Sequence, residues 1–339
     1  MNRKICSLAV LVVMCCSCGR TGYIQVSGFA QGGRYSVKYS ARGVSVGAQE
    51  VKDSIEALLF EIDTSLSGYN PKSQLSRFNA GEKIRPGRMF LRMYSIGYEL
   101  WERSGGALDF AAGPLYDAWG FGFKSGSVPT AVQVDSLLGI CGMKRLPREL
   151  PLRDGWLDPA LMGFPRLNYN AVAQGYSCDV IASYLYSIGV KDMLVDIGEI
   201  WCDGVNPSGR PWTVGIDKPV DGAGEDAELL ESVWTSGGQP RGIVTSGNYR
   251  KFYVRDGRKY AHTVNPISGY PVDHNLLSAT VASSKGAADA DALATWCMVL
   301  GPEGAWNLLE SDASLEGLLI CSAPDGSMTL RATDGFFAR

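Results

Sequence analysis

Residues 245–295 constrain the fold more than any other part of the chain, because they carry a predicted hairpin, a histidine and a predicted helix in succession. Two runs of alternating apolar and polar residues, 249–254 and 259–264, are joined at Asp256-Gly257. That dipeptide between alternating runs is the strongest short sequence signal for a two-residue hairpin turn. Helical composition follows over residues 286–300. The stretch therefore predicts two paired strands followed closely by a helix.

Asp291 and Thr295 stand four residues apart in that predicted helix and therefore share one face. A carboxylate and a hydroxyl on one face are oxygen ligands of the kind that Mg²⁺ prefers when it binds phosphate substrates. The pair also has a purely structural interpretation, in which Asp291 favours the helix dipole and the Thr295 hydroxyl bonds back to the helix backbone. For an arbitrary helix the structural interpretation is the commoner one.

Length and charge define the class of protein. The chain has 339 residues, of which 45% are hydrophobic, so it is long enough to bury a large core. Its formal net charge is -3. Because there is no excess of basic residues to bind a phosphate backbone, the composition favours no nucleic-acid partner.

The N-terminus has the pattern of a bacterial lipoprotein signal. Basic residues precede an apolar run over 5–14, and the sequence CCSCG follows. A small residue directly before Cys18 makes that cysteine the predicted site of lipidation. Cys15 or Cys16 as the lipidated residue, and a cleaved signal peptide of a soluble protein, are the alternatives.

This pattern predicts a signal peptide over 1–17, a tether over 18–22 and one domain over 23–339. The apolar run is too short to span a membrane as a helix. We therefore expect a lipid to anchor the domain to the bacterial membrane on its extracytoplasmic, periplasmic side.

Strands and helices are predicted to alternate irregularly, with several hairpins, which favours an α+β fold over a doubly wound parallel sheet. Residues 23–40 and 315–339 each predict a hairpin, and 218–240 a surface loop. The other predicted elements are helices over 48–62, 89–103 and 130–141, a strand at 166–170 that becomes a helix near Ala171, and strands over 192–200 and 211–217.

Three sequence motifs occur in order: TSGNYRKF at 245–252, HTVNPISGYPV at 262–272 and ADALAT at 290–295. Together they resemble the ApbE family, the FAD:protein FMN transferases, whose members read roughly TSGdYrr, HiidPxTGyP and ADALsT. The resemblance extends over nearly everything after residue 23. It implies the T-fold-related α+β architecture of that family, with a flavin cleft between two lobes.

The resemblance also implies which residues contact the flavin. Tyr69 lies within the polar segment 63–79, which matches the family, and the glycine-rich segment 105–122 matches the family's flavin loop. The implied cofactor-binding residues are Gln31, Tyr69, Ala107, Leu108, Asp109, Asn168, Gln174 and Val264. Gln31 stands where the family has a methionine. Without the family, Tyr69 would be interpreted as a packing residue of a surface loop.

The segment 167–179 departs most from the family pattern. Ala171 matches the residue whose carbonyl oxygen is a metal ligand, beside Asp291 and Thr295. Asn168 replaces an aspartate, and Gln174 replaces a lysine or glutamate. Since charge near a pyrophosphate and its metal governs affinity and leaving-group stabilisation, these neutral residues predict weaker or altered activity.

The implied activity is a magnesium-dependent transfer of FMN from FAD to a threonine or serine hydroxyl of an acceptor flavoprotein, with release of AMP. His262 and Asp291 are the predicted catalytic residues, since His262 lies in the motif and imidazole titrates near neutral pH. The other histidine, His274, is predicted to be a surface residue. Two alternatives stay open: hydrolysis of FAD to FMN and AMP, and flavin binding with little catalysis.

Overall fold

Eight antiparallel strands form the central sheet of the computed structural model, which describes residues 22–123, 128–220, 229–249, 252–255 and 258–337. The strands of this sheet, in spatial order, are β1 (Tyr23–Ala30), β2 (Gly33–Ser40), β3 (Met193–Asp196), β4 (Ile200–Asp203), β7 (Arg241–Gly247), β10 (Leu276–Ser283), β11 (Leu315–Ser322) and β12 (Met328–Ala332). Two further pairs stand apart from it, β5 (Thr213–Asp217) with β6 (Leu229–Thr235) and β8 (Phe252–Arg255) with β9 (Arg258–Ala261). The predicted α+β class is therefore confirmed.

Seven α-helices occur in the described part of the chain. They are α1 (Ala48–Leu66), α2 (Gln74–Asn79), α3 (Arg88–Arg103), α4 (Gly113–Ala118), α5 (Ala131–Ile140), α6 (Ala173–Ser187) and α7 (Ala287–Glu310), and short 3₁₀ turns cover Met143–Arg145 and Pro159–Met162. None of the described helices is long and apolar enough to cross a membrane. Capping explains one start: the Thr130 hydroxyl accepts from the amide of Gln133, whose side chain bonds back to the Thr130 amide.

The buried hydrophobic residues fall into separate clusters that define two lobes. In the sheet lobe, α1, α6 and α7 cover one face of the central sheet, and the buried Trp212, Trp234 and Phe336 cover the other. In the helical lobe, α2 and α3 pack with the loops 105–112 and 143–169 around Phe78 and Phe90. Residues of α7 reach both cores, so this helix joins the lobes.

Several predicted boundaries differ from the structure. Residues 192–200 form two strands rather than one, because Gly198 adopts a φ of 92° and donates its amide to Asp196 Oδ1 at 3.0 Å in a tight turn. Within the predicted surface loop 218–240, β6 pairs with β5 and buries Trp234 completely. The helix predicted over 286–300 continues to Glu310 past a kink at Gly301, where φ is 74°.

The strand predicted at 166–170 is wrong. The side chain of Asn79 takes the place of a partner strand: its Oδ1 accepts from the Leu167 amide and its Nδ2 donates to the Leu167 carbonyl oxygen, both at 2.7 Å. The backbone polar groups of Leu167 are thus hydrogen-bonded without a neighbouring strand.

The hairpin predicted over 249–264 is confirmed, with the shorter strands β8 and β9. Its predicted Asp256-Gly257 turn lies outside the described residues, and so does Cys18.

Candidate active site

A cleft of about 780 Å³ lies between the two lobes. The helical lobe contributes the loop 107–110, the segment 120–122 and residues 168–174, and the sheet lobe contributes β7, the segment 262–264 and α7. The predicted site residues that line it are Tyr69, Ala107, Leu108, Asp109, Asn168, Ala171, Gln174, His262, Val264, Asp291 and Thr295. Residues far apart in sequence are therefore brought to one cavity.

Asp291 is the most buried charged group of the cleft, with 5% of its surface exposed. Its Oδ2 accepts a hydrogen bond from the Gly175 amide at 3.0 Å. Burial raises the pKa of Asp291 to about 7; the Gly175 hydrogen bond opposes this rise, and the nearby charge of Asp179 adds to it. Burial thus disfavours the ionised form of this carboxyl, and a cation bound at the cleft would stabilise that form.

The Gly175 bond also affects Ala171. In a regular helix the amide of Gly175 would donate to the carbonyl oxygen four residues earlier, which belongs to Ala171. Because that amide bonds to Asp291 instead, no backbone amide in the described part of the chain donates to the Ala171 carbonyl. Ala171 lines the cleft, so its carbonyl oxygen is available to a ligand.

Thr295 lies one helical turn after Asp291, and its Oγ1 is 3.3 Å from Ser246 Oγ on β7. The cleft thus gathers a carboxylate, a hydroxyl and a carbonyl oxygen, a donor set that suits a hard cation. Nowhere in the described ranges do three or more His, Cys, Asp or Glu side chains gather as a metal site. Any cation here would depend on this mixed oxygen set.

The flavin-loop prediction places Asp109 at the cleft, but its carboxylate is engaged with the protein backbone. Oδ1 accepts from the amides of Ala111 and Met143, both at 2.9 Å. Burial raises the pKa of Asp109, and these amide bonds oppose the rise. Asp109 therefore fixes the shape of the loop that carries Ala107 and Leu108, both of which are buried.

A polar network joins Tyr69 to Asn168 on the same wall of the cleft. Asn170 donates from its Nδ2 to the Tyr69 hydroxyl at 3.1 Å, and its amide donates to Asn168 Oδ1 at 3.0 Å. Tyr69 is 68% exposed and contacts the ring of Phe123 edge-on, with centroids 5.1 Å apart. An exposed aromatic side chain beside a cleft can cover a flat ring.

Gln174 and Gln31 differ in position. Gln174 lines the cleft and donates from Nε2 to the Ile197 carbonyl oxygen at 3.3 Å, in the turn between β3 and β4. Gln31 lies at the tip of the β1–β2 hairpin with a φ of 52° and donates to the Ser177 hydroxyl. Gln31 is not among the described residues that line the cleft.

His262 enters the cleft directly after β9. Its ring contacts Phe121 edge-on, with centroids 6.4 Å apart. The Thr263 hydroxyl donates to Asn248 Oδ1 at 2.8 Å, and Val264 pairs with Pro271. The other histidine is not a free surface residue as predicted: His274 Nε2 lies 2.9 Å from the Met298 carbonyl oxygen, at the kink of α7.

Sequence reasoning gave several lining residues no individual role, although most of them lie inside the motifs and segments that it singled out. Glu199 lies within the predicted strand 192–200, and its position in a turn at the cleft follows only from the bend at Gly198. Phe121 lies in the glycine-rich run, whose aromatic content signalled a ring-binding loop. The others are Phe110, Tyr116, Gly120, Gly122, Asn170, Thr245, Ser246, Gly247, Tyr249, Phe252, Thr263 and Val299.

Comparison with known proteins decides the family. The sequence profile of the ApbE family matches residues 32–319. The chain belongs to the ApbE family. Its relatives include the FAD:protein FMN transferase of Vibrio cholerae, 30% identical over 334 residues that cover 96% of both proteins. Another is that of Escherichia coli K12, 34% identical over 262 residues that cover 76% of this chain and 72% of the relative.

Solved ApbE structures share the fold. The apo flavinyl transferase ApbE of Pseudomonas stutzeri aligns with a TM-score of 0.78 at 31% identity, over 93% of this chain and 95% of that one. The flavin transferase ApbE of Vibrio cholerae aligns with a TM-score of 0.76 at 30% identity, over 93% and 98%. The two-lobed ApbE architecture implied by the sequence motifs is thus confirmed.

Proposed function

We propose that this protein transfers FMN from FAD to a threonine or serine hydroxyl of an acceptor protein and releases AMP. The relatives that cover most of the chain are FAD:protein FMN transferases. The observation that carries the proposal is the convergence of His262, Asp291 and Thr295 on one cleft together with the flavin loop 107–109.

Mg²⁺ fits this cleft as the cation that binds the pyrophosphate. Ala171 would contribute its carbonyl oxygen, Asp291 its buried carboxylate and Thr295 its hydroxyl. The described lining includes the carboxylates of Asp109, Glu199 and Asp291 but no lysine or arginine. Among the described lining residues a pyrophosphate would therefore meet no lysine or arginine, which supports a requirement for a metal ion. When bound, Mg²⁺ would neutralise charge on the phosphate oxygens.

The transfer step is a displacement at phosphorus. The acceptor hydroxyl oxygen forms a bond to the phosphorus of the FMN half, the bond from that phosphorus to the bridging oxygen breaks, and AMP departs with that oxygen. The hydroxyl proton must pass to a base. His262 supplies an imidazole at the cleft for this role. The loop 107–109 and Tyr69 orient the flavin so that its phosphate lies at the start of α6 and α7.

Hydrolysis of FAD is the second candidate, and the neutral pair Asn168 and Gln174 favours it. Both side chains line the cleft and bond to protein backbone rather than to charged groups. With fewer charges to orient an acceptor, water can take the place of the hydroxyl. The products would then be FMN and AMP, with no covalent flavin.

We further propose that the protein acts on the extracytoplasmic, periplasmic side of a bacterial membrane, held by a lipid on Cys18. The lipobox-like CCSCG sequence supports this address. Acceptor proteins would then be extracytoplasmic flavoproteins with an accessible threonine or serine.

One assay tests the activity. The domain, residues 23–339, is incubated with FAD and Mg²⁺, with and without a peptide that carries an acceptor threonine. The release of AMP and the fluorescence of flavin bound to the peptide are measured. Equal amounts of released AMP and of flavin-labelled peptide support transfer. AMP without labelled peptide supports hydrolysis, and FAD binding without AMP contradicts both activities.

A further inference from the structure

Helices α6 and α7 begin side by side, and neither has a side-chain cap at its own N-cap residue. Val172 before α6 and Gly286 before α7 make no capping hydrogen bond. The first amides of a helix lack partners within the helix and need acceptors from elsewhere. The two helix starts obtain these acceptors from each other.

Asp179 supplies the acceptors for α7. Its Oδ1 accepts from the Ala287 amide at 2.7 Å, and its Oδ2 accepts from the Ala288 amide at 2.9 Å. In the opposite direction, Asp291 on α7 accepts from the Gly175 amide on α6. Each aspartate lies one helical turn after the bonded start of its own helix, so the two starts cap each other reciprocally.

The backbones of α6, α7 and β7 approach each other closely at the start of α7. A β-carbon added to Gly175 would lie 2.3 Å from the Ala287 carbonyl oxygen, and one added to Gly242 on β7 would lie 2.4 Å from the Ala287 Cα. The first turn of α7 is therefore held between α6 and the sheet. Two hydrogen bonds donated by successive amides to one carboxylate fix both the position of this turn along the helix axis and its rotation about that axis.

We propose that Asp179 is a positioning residue for the metal-binding face of α7. Held by Asp179, the first turn of α7 orients Asp291 and Thr295 toward the cleft and toward the Ala171 carbonyl. Asp179 is not among the cleft-lining residues, so it would act on the metal ion through α7 and not by direct contact. This role rests on the proposed function, because it assumes a metal ion on Asp291 and Thr295.

The test compares Asp179→Asn with Asp289→Asn. Asp289 also lies in the first turn of α7, but it bonds to Arg103 Nη1 at 2.7 Å and to the Ser283 hydroxyl at 2.6 Å. Its substitution therefore removes the same charge from the same helix start and leaves the Ala287 and Ala288 amides bonded. It serves as the matched control.

Mn²⁺ binding is measured by electron paramagnetic resonance with FAD present and acceptor absent, well below the unfolding temperature of each variant. We expect Asp179→Asn to bind Mn²⁺ about tenfold more weakly, the loss typical of residues that orient metal ligands, while Asp289→Asn binds as the wild type does. Equal affinity in wild type and Asp179→Asn overturns the inference alone. A wild type that binds no Mn²⁺ overturns the proposed metal site, and this inference with it.

A second measurement needs no variant. If Asp179 couples the start of α7 to the metal, coupling is reciprocal, and Mg²⁺ should slow hydrogen exchange at the Ala287 and Ala288 amides of the FAD-bound wild type. Unchanged exchange at both amides, with Mg²⁺ shown to bind, contradicts the positioning role.

Discussion

Trp119 donates its indole N–H to the carbonyl oxygen of Gly269 at 2.8 Å, although the two residues lie 150 positions apart. The bond fastens the end of the glycine-rich flavin loop to the turn that follows His262. Trp119 is 3% exposed, and Tyr260 and Tyr270 both lie against its ring. Trp119 thereby ties the segment 105–122, which contributes residues to the cleft, to the segment that carries His262.

Trp119→Phe should lower the free energy of unfolding by about 1–3 kcal/mol, because it leaves the buried Gly269 carbonyl oxygen without its donor. Urea unfolding measures this loss. Trp156→Phe is the control, since Trp156 is 43% exposed and its ring lies beneath the Arg85 guanidinium, 5.2 Å from the ring centroid. Losses of the same size in both variants would show that the Gly269 bond contributes nothing specific.

The pH dependence of stability should report the buried Asp179. Burial raises the pKa of this carboxyl from 3.8 to about 6, against the two amide bonds from α7. Because the folded state holds the proton more tightly than the unfolded state, Asp179 favours folding most below pH 4, and this contribution is lost as the pH rises to about 6. The loss amounts to about 3 kcal/mol.

Denaturant unfolding of wild type and Asp179→Asn across pH 3.5 to 7 isolates that effect. The stability of the wild type relative to the variant should fall as the pH rises through this range. A difference that is constant with pH, or that grows in favour of the wild type, would contradict the raised pKa.

Charged side chains introduced at positions 168 and 174, where the family has them, should raise the rate of FMN transfer. Asn168→Asp retains an oxygen for the Asn170 amide, and Gln174→Lys retains a donor for the Ile197 carbonyl oxygen, so the local bonds survive. The double variant returns an acid and a base to the cleft, and we expect FMN transfer to rise several-fold, with the single changes giving less because buried charges couple. A double variant that transfers less FMN than the wild type would show that the neutral pair is adapted to this chain.

Under the proposed anchoring, Cys18→Ser should release the protein from the membrane fraction, because the variant lacks the thiol to which the lipid would be attached. Fractionation of cells that produce wild type or variant measures this. Cys16→Ser is the control and should stay with the membranes. An unchanged distribution of Cys18→Ser would exclude Cys18 as the anchor.

Local sequence patterns predicted much of the fold, and the motifs predicted most of the cleft. The spacing of Asp291 and Thr295 placed both on one helix face, and both line the cleft. The failures come from contacts that no local pattern encodes. Asn79 replaces a partner strand for residues near Leu167, so the strand predicted over 166–170 does not form. The mutual capping of α6 and α7 depends on residues more than one hundred positions apart. Neither segment taken alone contains a pattern that predicts it.

The central claim is tested most directly by the stoichiometry of transfer in wild type, Asp291→Asn and Asp289→Asn, each with FAD, Mg²⁺ and an acceptor peptide. Wild type and Asp289→Asn should release one AMP for each flavin that becomes covalently attached, and chelation of Mg²⁺ should stop both products together. Asp291→Asn should retain the fold and lose both products by a factor of at least about one hundred, since it removes the only carboxylate among the proposed ligands. Covalent flavin formed by Asp291→Asn at the wild-type rate, or by the wild type without a divalent cation, would contradict the account.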